Sequence, residues 1–147
     1  MKHQLKALAL AASMAAISLP ATAQENVRWG IPMSFGSNLT ALGDTMPWVS
    51  DQLKKVSGGT VNLQVFEPGK LVPALGIFDA VSSGKVEAGY SFMGYELGKV
   101  PVSAIFGALP FGMETPQFSA WMYFGGGDAL LKEAFKPHNV HPNFCGS

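Results

Sequence analysis

Two hydrophobic periods alternate along residues 27–91, and this alternation constrains the fold more than any other feature of the sequence. Apolar and polar residues alternate at 27–31 and again at 60–66, the period that is typical of half-buried strands. Between them lies a stripe with the spacing of one helix face: Leu42, Met46, Val49, Leu53 and Val56. A shorter helix and a third strand at 86–91 follow. This β-α-β-α-β order with short connections predicts an α/β domain with a largely parallel sheet.

Prolines and glycines mark where the predicted helices begin and end. Pro47 lies inside the first stripe, so that helix either kinks at Pro47 or starts there. Beyond residue 100 the spacing becomes helical again, and Thr115 is predicted to cap a helix that has Pro116 at its first position. The glycines at 125–127 end this helix, and Asp128 is predicted to cap the next one.

The beginning of the chain has the three-part pattern of a bacterial secretory signal. Basic residues come first, an alanine-rich apolar run at 7–19 follows, and Pro20 and small residues at 21–23 end the segment. The run is shorter than the roughly 20 apolar residues that a membrane-spanning helix needs. We therefore expect a signal peptide at 1–23, a mature chain at 24–147 and a periplasmic location.

Composition indicates a globular domain and argues against nucleic acid as a partner. The sequence is 48% hydrophobic and 14% charged, far from the charge-rich composition of disordered chains. Loss of Lys2 and Lys6 with the signal leaves eight basic residues against ten acidic ones, a net charge of −2 without a basic stripe. Cys145 is the single cysteine, so no internal disulfide can form, and a lone thiol near the chain end is expected to be inert.

The sequence lacks the motifs that are typical of common catalytic sites. Neither a G-x-S-x-G elbow nor a G-x-x-x-x-G-K phosphate loop occurs. His138 and His141 are three residues apart, but no neighbouring cysteine or positioned carboxylate completes a metal-ligand set. The acidic residues that could act as general acids or bases are spread over different elements: Asp44, Asp51, Glu67 and Asp79. We therefore expect no catalytic residue, no metal ligand and no cofactor.

Aromatic residues cluster where the third predicted strand ends. Parallel strands present ligand-contacting residues at their carboxyl ends, so 92–96 and the loop at 33–38 should lie at one mouth. There Tyr95 offers a hydroxyl group, while Met93 and Phe35 offer apolar walls. The residues alone leave a second interpretation open, in which the aromatic side chains merely pack under the helices.

The run KLVPALGIFDAVSSGKVEAGYSFMGYELGKVPVSAIFGALPFGMETPQFSAWMYFGGG closely resembles the solute-binding proteins of tripartite ATP-independent periplasmic (TRAP) transporters. It is most similar to the branch that takes 2-oxo acids and related carboxylates. The motifs that carry the resemblance are A-V-S-S-G-K-V-E-A-G at 80–89, P-F-G-M-E at 110–114, W-M-Y-F-G-G-G at 121–127, W-G-I-P-M-S at 29–34 and S-G-G-T-V at 57–61. The sequence departs from the family in two respects. Pro47 lies in the first helix, and the length suits one lobe of a two-lobed receptor.

The resemblance implies a non-enzymatic receptor that captures a small organic acid in the periplasm and delivers it to the membrane subunits of a transporter. The ligand would be a 2-oxo acid, a hydroxy acid or a dicarboxylate, and a homodimer of the longer protein is allowed. The fold would be a type II-like periplasmic-binding-protein lobe with a mostly parallel sheet flanked by helices. Residues 24–147 would be the first of two lobes that close around the ligand. The second lobe, with the arginine that clamps the carboxylate, would lie beyond Ser147.

The resemblance also assigns roles to side chains at the mouth. The expected ligand-contacting residues are Tyr95, which would donate a hydrogen bond, and then Phe35, Ser34 and Met93. Tyr90 and Phe92 are expected in the core. Without a second lobe, an apolar face near Phe111 and Phe144 is expected to be exposed.

Two other functions stay open on the residues. One is an exported α/β enzyme whose catalytic residues lie in a missing C-terminal half, because one fold hosts many functions. The other is a sensor domain that reports to a receptor without transport. A nucleophile beside a base would indicate the enzyme, and none is visible. Genes for two membrane subunits next to this one would favour transport.

Overall fold

A parallel pair of strands forms the sheet of the domain. A computed structural model describes residues 25–107 and 109–146, and the predicted signal peptide lies outside these residues. Strands β1 (Val27–Pro32) and β2 (Val61–Phe66) pair in parallel along their whole length. Both strands were predicted from the alternation of apolar and polar residues, and both are confirmed.

The third predicted strand, at 86–91, is reduced to a single bridge. Tyr90 pairs with Met33 in parallel, and its N–H donates to the last carbonyl of β1 over 2.9 Å. Earlier along the edge, the Glu87 carboxylate lies 3.4 Å from the backbone nitrogen of Gly30. The prediction of a full strand was therefore wrong, because a side chain takes the place of the backbone at this edge of β1. The α/β class with parallel pairing is confirmed.

The first helix, α1 (Thr45–Val56), packs against β2. It begins later than the stripe from Leu42 predicted, so that Pro47 lies in its first turn, where a missing N–H removes no helical hydrogen bond. A start near Pro47 is thus the alternative that the structure adopts. The Ser50 hydroxyl donates to the carbonyl of Leu63 over 2.6 Å and ties α1 to β2.

Short helical turns make up the middle of the chain. Helix α2 (Ile77–Ser82) follows a 3-10 turn at Ala74–Gly76. Two further 3-10 segments, Met93–Glu96 and Pro101–Phe106, follow the Tyr90 bridge. The helical spacing predicted after residue 100 therefore corresponds to a 3-10 helix.

Helix α3 (Thr115–Phe124) is capped one residue earlier than predicted. Thr115 is the first residue inside the helix, and Glu114 precedes it in an extended conformation. The Glu114 N–H points to the Gln117 side-chain oxygen over 3.4 Å. Prediction of Thr115 as the cap was wrong because this side-chain contact places the boundary at Glu114.

Helix α4 (Gly127–Phe135) follows almost directly. Gly126, with φ of 89°, occupies the cap position that was predicted for Asp128. Asp128 lies inside the helix and pairs with Lys132, with 2.6 Å between Oδ2 and Nζ. A 3-10 turn at Lys136–His138 ends this part. None of the helices described within 25–107 and 109–146 is long and apolar enough to cross a membrane.

The core lies where α2, α3, α4 and the 3-10 segment Pro101–Phe106 meet. Its buried members are Phe78, Val100, Phe106, Met122, Leu131 and Phe135. Phe111 is fully exposed, as predicted, whereas Phe144 is half-buried with its ring 5.6 Å from that of Phe118. Of the apolar face that was expected near these two residues, Phe111 is therefore exposed, whereas Phe144 is partly covered by α3.

Candidate functional site

The loop after β1 and the turn after the Tyr90 bridge lie at the same edge of the sheet. The parallel bridge between Met33 and Tyr90 holds them there, and the Ser34 N–H donates to the Tyr90 carbonyl over 2.9 Å. Phe35 follows on the first loop, and Met93–Glu96 forms the second turn. The carboxyl ends of parallel strands are where α/β proteins bind ligands.

Four aromatic side chains meet at this edge, and we refer to Phe35, Tyr90, Phe92 and Tyr95 as the aromatic patch. The Phe35 ring centroid lies 6.4 Å from that of Tyr90 and 6.2 Å from that of Tyr95. Phe92 packs edge-on against Tyr95 at 5.4 Å. Tyr95 is 46% exposed, so its hydroxyl is accessible to a ligand.

Tyr90 and Phe92 belong to the patch and not to the core, which corrects the prediction for both. Phe92 is 37% exposed, and Tyr90 is half-buried. A continuous strand would have turned both side chains to one buried face, but the chain leaves the sheet after Tyr90 and enters a 3-10 turn. A Cβ atom added at Gly94 would overlap Cε1 of Phe92, so the ring of Phe92 fills the space above this glycine.

The sequence contains a local signal for this arrangement. In the run F-M-G-Y, Gly94 stands two residues after Phe92 and directly before Tyr95. Glycine at this position leaves room for the neighbouring ring, which a side chain would exclude. The packing of the Phe92 ring over Gly94 was not predicted, because it depends on the 3-10 turn.

Ser34 and Met93 are less exposed than Tyr95 and have structural contacts. The Ser34 hydroxyl donates to the Ala74 carbonyl over 2.8 Å and lies 2.9 Å from the hydroxyl of Ser91. It therefore braces the loop after β1 against its neighbours. Met93 is half-buried and packs against the core. Of the four residues predicted at the site, Phe35 and Tyr95 meet at the surface, and the other two support them.

The Tyr90 hydroxyl lies close to the start of α1. Burial raises the pKa of Tyr90 above its ordinary value, although a hydrogen bond with the Thr45 side chain partly opposes this, and the charge of Asp44 raises it further. The phenol is therefore neutral at physiological pH and can donate a hydrogen bond.

The loop that carries Phe35 is held by a carboxylate from the end of β2. The Ser37 N–H donates to Glu67 Oε2 over 3.2 Å. Hydrogen bonds with Ser37 lower the pKa of Glu67, so this carboxylate is ionised at neutral pH. Glu67, which was considered as a general acid, thus acts on the loop conformation.

The arginine of the sequence lies away from the patch. Arg28 is the only arginine of the sequence, and it is exposed near the start of β1, at the opposite end from Phe35. Lys99 is the nearest lysine in the chain to Tyr95, and its Nζ lies 2.7 Å from Asp79 Oδ1. A ligand carboxylate at the patch would find hydroxyl donors but no guanidinium group from this part of the chain.

The surroundings of His138 and Cys145 favour structural roles over chemical ones. The His138 ring packs 5.6 Å from that of Phe78. Burial raises the pKa of the Cys145 thiol, so little reactive thiolate forms at neutral pH. Across 25–107 and 109–146, no group of three or more His, Cys, Asp or Glu side chains is arranged to hold a metal ion.

Two grooves lie elsewhere on the described surface. One is lined by Lys132, Glu133, Lys136, Asn139, Val140 and His141. The other, of about 430 Å³, is lined by Ile105, Gly107, Leu109, Gly112, Met113, Thr115, Phe118 and Trp121. Phe35 and Tyr95 line neither of these two grooves.

Comparison with known sequences identifies related proteins. The sequence model of the bacterial extracellular solute-binding proteins, family 7, matches residues 35–142. The chain is 35% identical over 116 residues to a monocarboxylate 2-oxoacid-binding periplasmic protein of a Nostoc species, with 78% of this chain and 31% of that protein covered.

Solved structures with the same fold include three TRAP transporter solute-binding proteins. One from Bordetella bronchiseptica, a mixed-occupancy dimer with calcium and picolinate, superposes with a TM-score of 0.80 at 29% identity over 83% of this chain. One from Colwellia psychrerythraea, with calcium and pyruvate, gives 0.75 at 32% identity over 80%. One from Pseudoalteromonas atlantica, with sodium and pyruvate, gives 0.73 at 34% identity over 78%.

The chain spans about a third of the length of these relatives. It covers 31% of the Nostoc protein, 36% of the Bordetella and Colwellia chains and 35% of the Pseudoalteromonas chain.

Proposed function

Since the chain belongs to family 7 of the bacterial extracellular solute-binding proteins, we propose that it is the first lobe of a TRAP transporter receptor for a small organic acid. The family consists of binding receptors, and we propose that this chain captures its ligand without catalysis. The observation that carries the proposal is the aromatic patch. It combines an exposed Tyr95 hydroxyl with the apolar face of Phe35 at the carboxyl end of a parallel strand.

A small 2-oxo acid is the ligand class that the relatives favour. Two solved neighbours at 32% and 34% identity hold pyruvate, and the curated Nostoc protein is named for binding monocarboxylate 2-oxoacids. The patch suits such a ligand because its rings can cover a short carbon skeleton while a phenol donates to an oxygen. Hydroxy acids and dicarboxylates remain within the proposed class.

The carboxylate would be bound by a second lobe. An arginine binds a carboxylate in a bidentate geometry, and the single arginine here, Arg28, lies at the far end of β1 from the patch. We propose that the clamping arginine comes from the part of the receptor that this chain does not include. The two lobes would then close around the ligand.

A cation beside the ligand would also need ligands from outside this chain. Two of the neighbours hold calcium and a third holds sodium, together with an organic acid. Among the described residues, no three His, Cys, Asp or Glu side chains are grouped to hold a metal ion, so we propose that further ligands to such an ion would come from outside this chain.

Location and partners follow from the same premise. We propose that the signal peptide is removed after Ala23, that the receptor works in the periplasm, and that it delivers its ligand to the membrane subunits of a TRAP transporter. A homodimer is compatible with the Bordetella neighbour, which is described as a dimer.

Substitution of Tyr95 tests the site. In the full-length receptor, Tyr95→Phe should weaken the binding of pyruvate by about 1.5–3 kcal/mol, because one hydrogen bond to a charged group is lost while the ring remains. Calorimetric titration measures the affinity, and thermal unfolding checks that the fold is intact.

A matched control exists on α3. Tyr123 is 61% exposed and packs against Phe124 and Phe144, so Tyr123→Phe should leave the affinity unchanged. If Tyr95→Phe bound pyruvate as tightly as the unsubstituted receptor and melted at the same temperature, the Tyr95 hydroxyl would not donate a hydrogen bond to the ligand.

A further inference from the structure

The Glu96 side chain is buried although it follows the exposed Tyr95 directly. Glu96 is 4% exposed and Tyr95 is 46% exposed, and both belong to the 3-10 turn Met93–Glu96. Burial of an ionised carboxylate is unfavourable unless an opposite charge and hydrogen bonds compensate for the lost hydration. The compensation available to Glu96 therefore determines how stable this turn is.

One ammonium group is shared between two carboxylates. Lys99 Nζ lies 2.7 Å from Asp79 Oδ1 on α2 but 3.8 Å from Glu96 Oε2. It also lies 5.3 Å from the centroid of the Phe78 ring. The shorter contact goes to Asp79, so Lys99 compensates Glu96 only in part.

The backbone folds around the same residue. The N–H groups of Lys99 and Val100 donate to the Glu96 carbonyl over 2.9 Å and 2.7 Å. Val100 is a buried member of the core. The turn that carries Tyr95 is thus anchored to the core through Val100 and to α2 through Lys99 and Asp79.

We propose that Glu96 is a positioning residue whose buried carboxyl group, by gaining or losing one proton, tightens or loosens the turn that holds Tyr95 at the ligand-binding face. The inference rests on the proposed function, because it takes Tyr95 as a ligand contact. The groups that face Glu96 are Lys99 on its own segment and Asp79 on α2.

The direction of the effect follows from linkage. Burial raises the pKa of Glu96 above its ordinary value, Lys99 opposes this shift, and the charge of Asp79 adds to it. The folded turn therefore binds the Glu96 proton more tightly than the unfolded turn does. Its extra stability is fully present below the ordinary pKa of a glutamate, 4.5, and is lost as the pH rises through the raised pKa.

Hydrogen exchange of this chain between pH 4 and 8 tests the inference without any ligand. The reporters are the Tyr95, Lys99 and Val100 amides, whose hydrogen bonds close the turn. Their protection factors, corrected for intrinsic exchange, should fall with rising pH. The fall should be about tenfold for each unit by which the pKa of Glu96 exceeds its ordinary value. The Met33 amide, bonded to Phe66 in the sheet, is an internal reference that should stay level.

Three substitutions should move this pH dependence in different directions. Glu96→Gln should abolish this step, the fall in protection with rising pH. It should also leave the turn better protected at pH 7, because an amide does not ionise. Asp79→Asn should shift the step to lower pH, since it removes a negative charge and frees Lys99 for Glu96. Lys99→Met should shift it to higher pH, since the ammonium group beside Glu96 is lost.

An exposed carboxylate provides the control. Glu133→Gln on α4 should leave the step in place. A purely structural Glu96 would give the same pH profile in Glu96→Gln as in the unsubstituted chain, and that result would overturn the inference. Failure of organic-acid binding in the full-length receptor would instead contradict the proposed function and leave the pH step as measured.

Discussion

At the scale of single residues, Gly94 determines how the aromatic patch is packed. The ring of Phe92 occupies the space that a side chain at position 94 would fill. Gly107 also lies against this ring, since a Cβ there would lie 3.1 Å from Phe92 Cζ. The edge-on contact between Phe92 and Tyr95 therefore depends on the absence of side chains at these two positions.

Substitution of Gly94 should displace the Phe92 ring. Gly94→Ala should remove the contact between Phe92 and Tyr95, measured as ring-to-ring cross-peaks in nuclear magnetic resonance spectra. The expected loss in the free energy of unfolding is about 1 kcal/mol, the low end for overpacking, because Phe92 is partly exposed and can move aside.

Gly98 offers the matched control for this substitution. Among the described residues, no atom would lie within 4 Å of a Cβ added at Gly98, so Gly98→Ala should keep the contact between the two rings. Retention of the cross-peaks in Gly94→Ala would contradict this packing.

At the scale of elements, α2 is joined to the end of α4 by one short hydrogen bond. The Ser82 hydroxyl donates to the His138 carbonyl over 2.6 Å. In return, the Asn139 side-chain nitrogen donates to the Ser82 carbonyl over 3.3 Å. Residues 56 positions apart are thus held together next to the Phe78 and Phe135 rings of the core.

Ser83, next to Ser82 in the chain, provides a control for the general effect of removing a serine hydroxyl group. Ser82→Ala should lower the free energy of unfolding by about 0.5–1.5 kcal/mol, because the half-buried hydroxyl links two elements. Ser83→Ala should change it by less than about 0.5 kcal/mol, since the exposed Ser83 residue bonds through its hydroxyl to the Asp79 and Ala80 carbonyls of the helix that it ends and does not link two elements. Chemical denaturation measures both. Equal losses in the two variants would show that the bond to His138 contributes nothing specific.

Elements with a strong local pattern could be predicted from the sequence, and those that depend on distant contacts could not. The strands β1 and β2 follow from alternation within six residues each. The edge of β1 is different, because Glu87 reaches Gly30 from 57 residues away. No local pattern predicts such a contact, and for this reason the third strand was predicted to be longer than it is.

The same limit applies to the site. Phe35 and Tyr95 were expected at one edge because the sequence indicated neighbouring parallel strands, and the structure brings their rings together although the second strand is only a bridge. Their contact with a ligand stays a prediction. Tyr90 and Phe92 were assigned to the core because aromatic residues in a strand usually pack inward. Glu96 was not identified at all, since only the fold brings Lys99 and Asp79 together beside it.

At the scale of the whole molecule, the match to the solute-binding family confirms the resemblance that the sequence motifs indicated. The described residues leave large apolar side chains uncovered, among them Phe111 at full exposure and Phe124 at 91%. Such exposure favours association, so we expect the chain alone to be poorly soluble. Tyr95 and Phe92 of the aromatic patch are likewise partly exposed, as one face of a two-lobed cleft requires.

The central claim is that this chain supplies one face of an organic-acid site and that a second lobe supplies the other. Titration of pyruvate, other 2-oxo acids and C4-dicarboxylates into the isolated chain and into the full-length receptor tests it most directly. An ion pair in an open half-cleft contributes only about 0–1 kcal/mol, so the isolated chain should show no useful binding, whereas the receptor should bind one of these acids saturably. Micromolar binding of any of them by the isolated chain would contradict the claim, because the first lobe would then carry a complete anion site of its own.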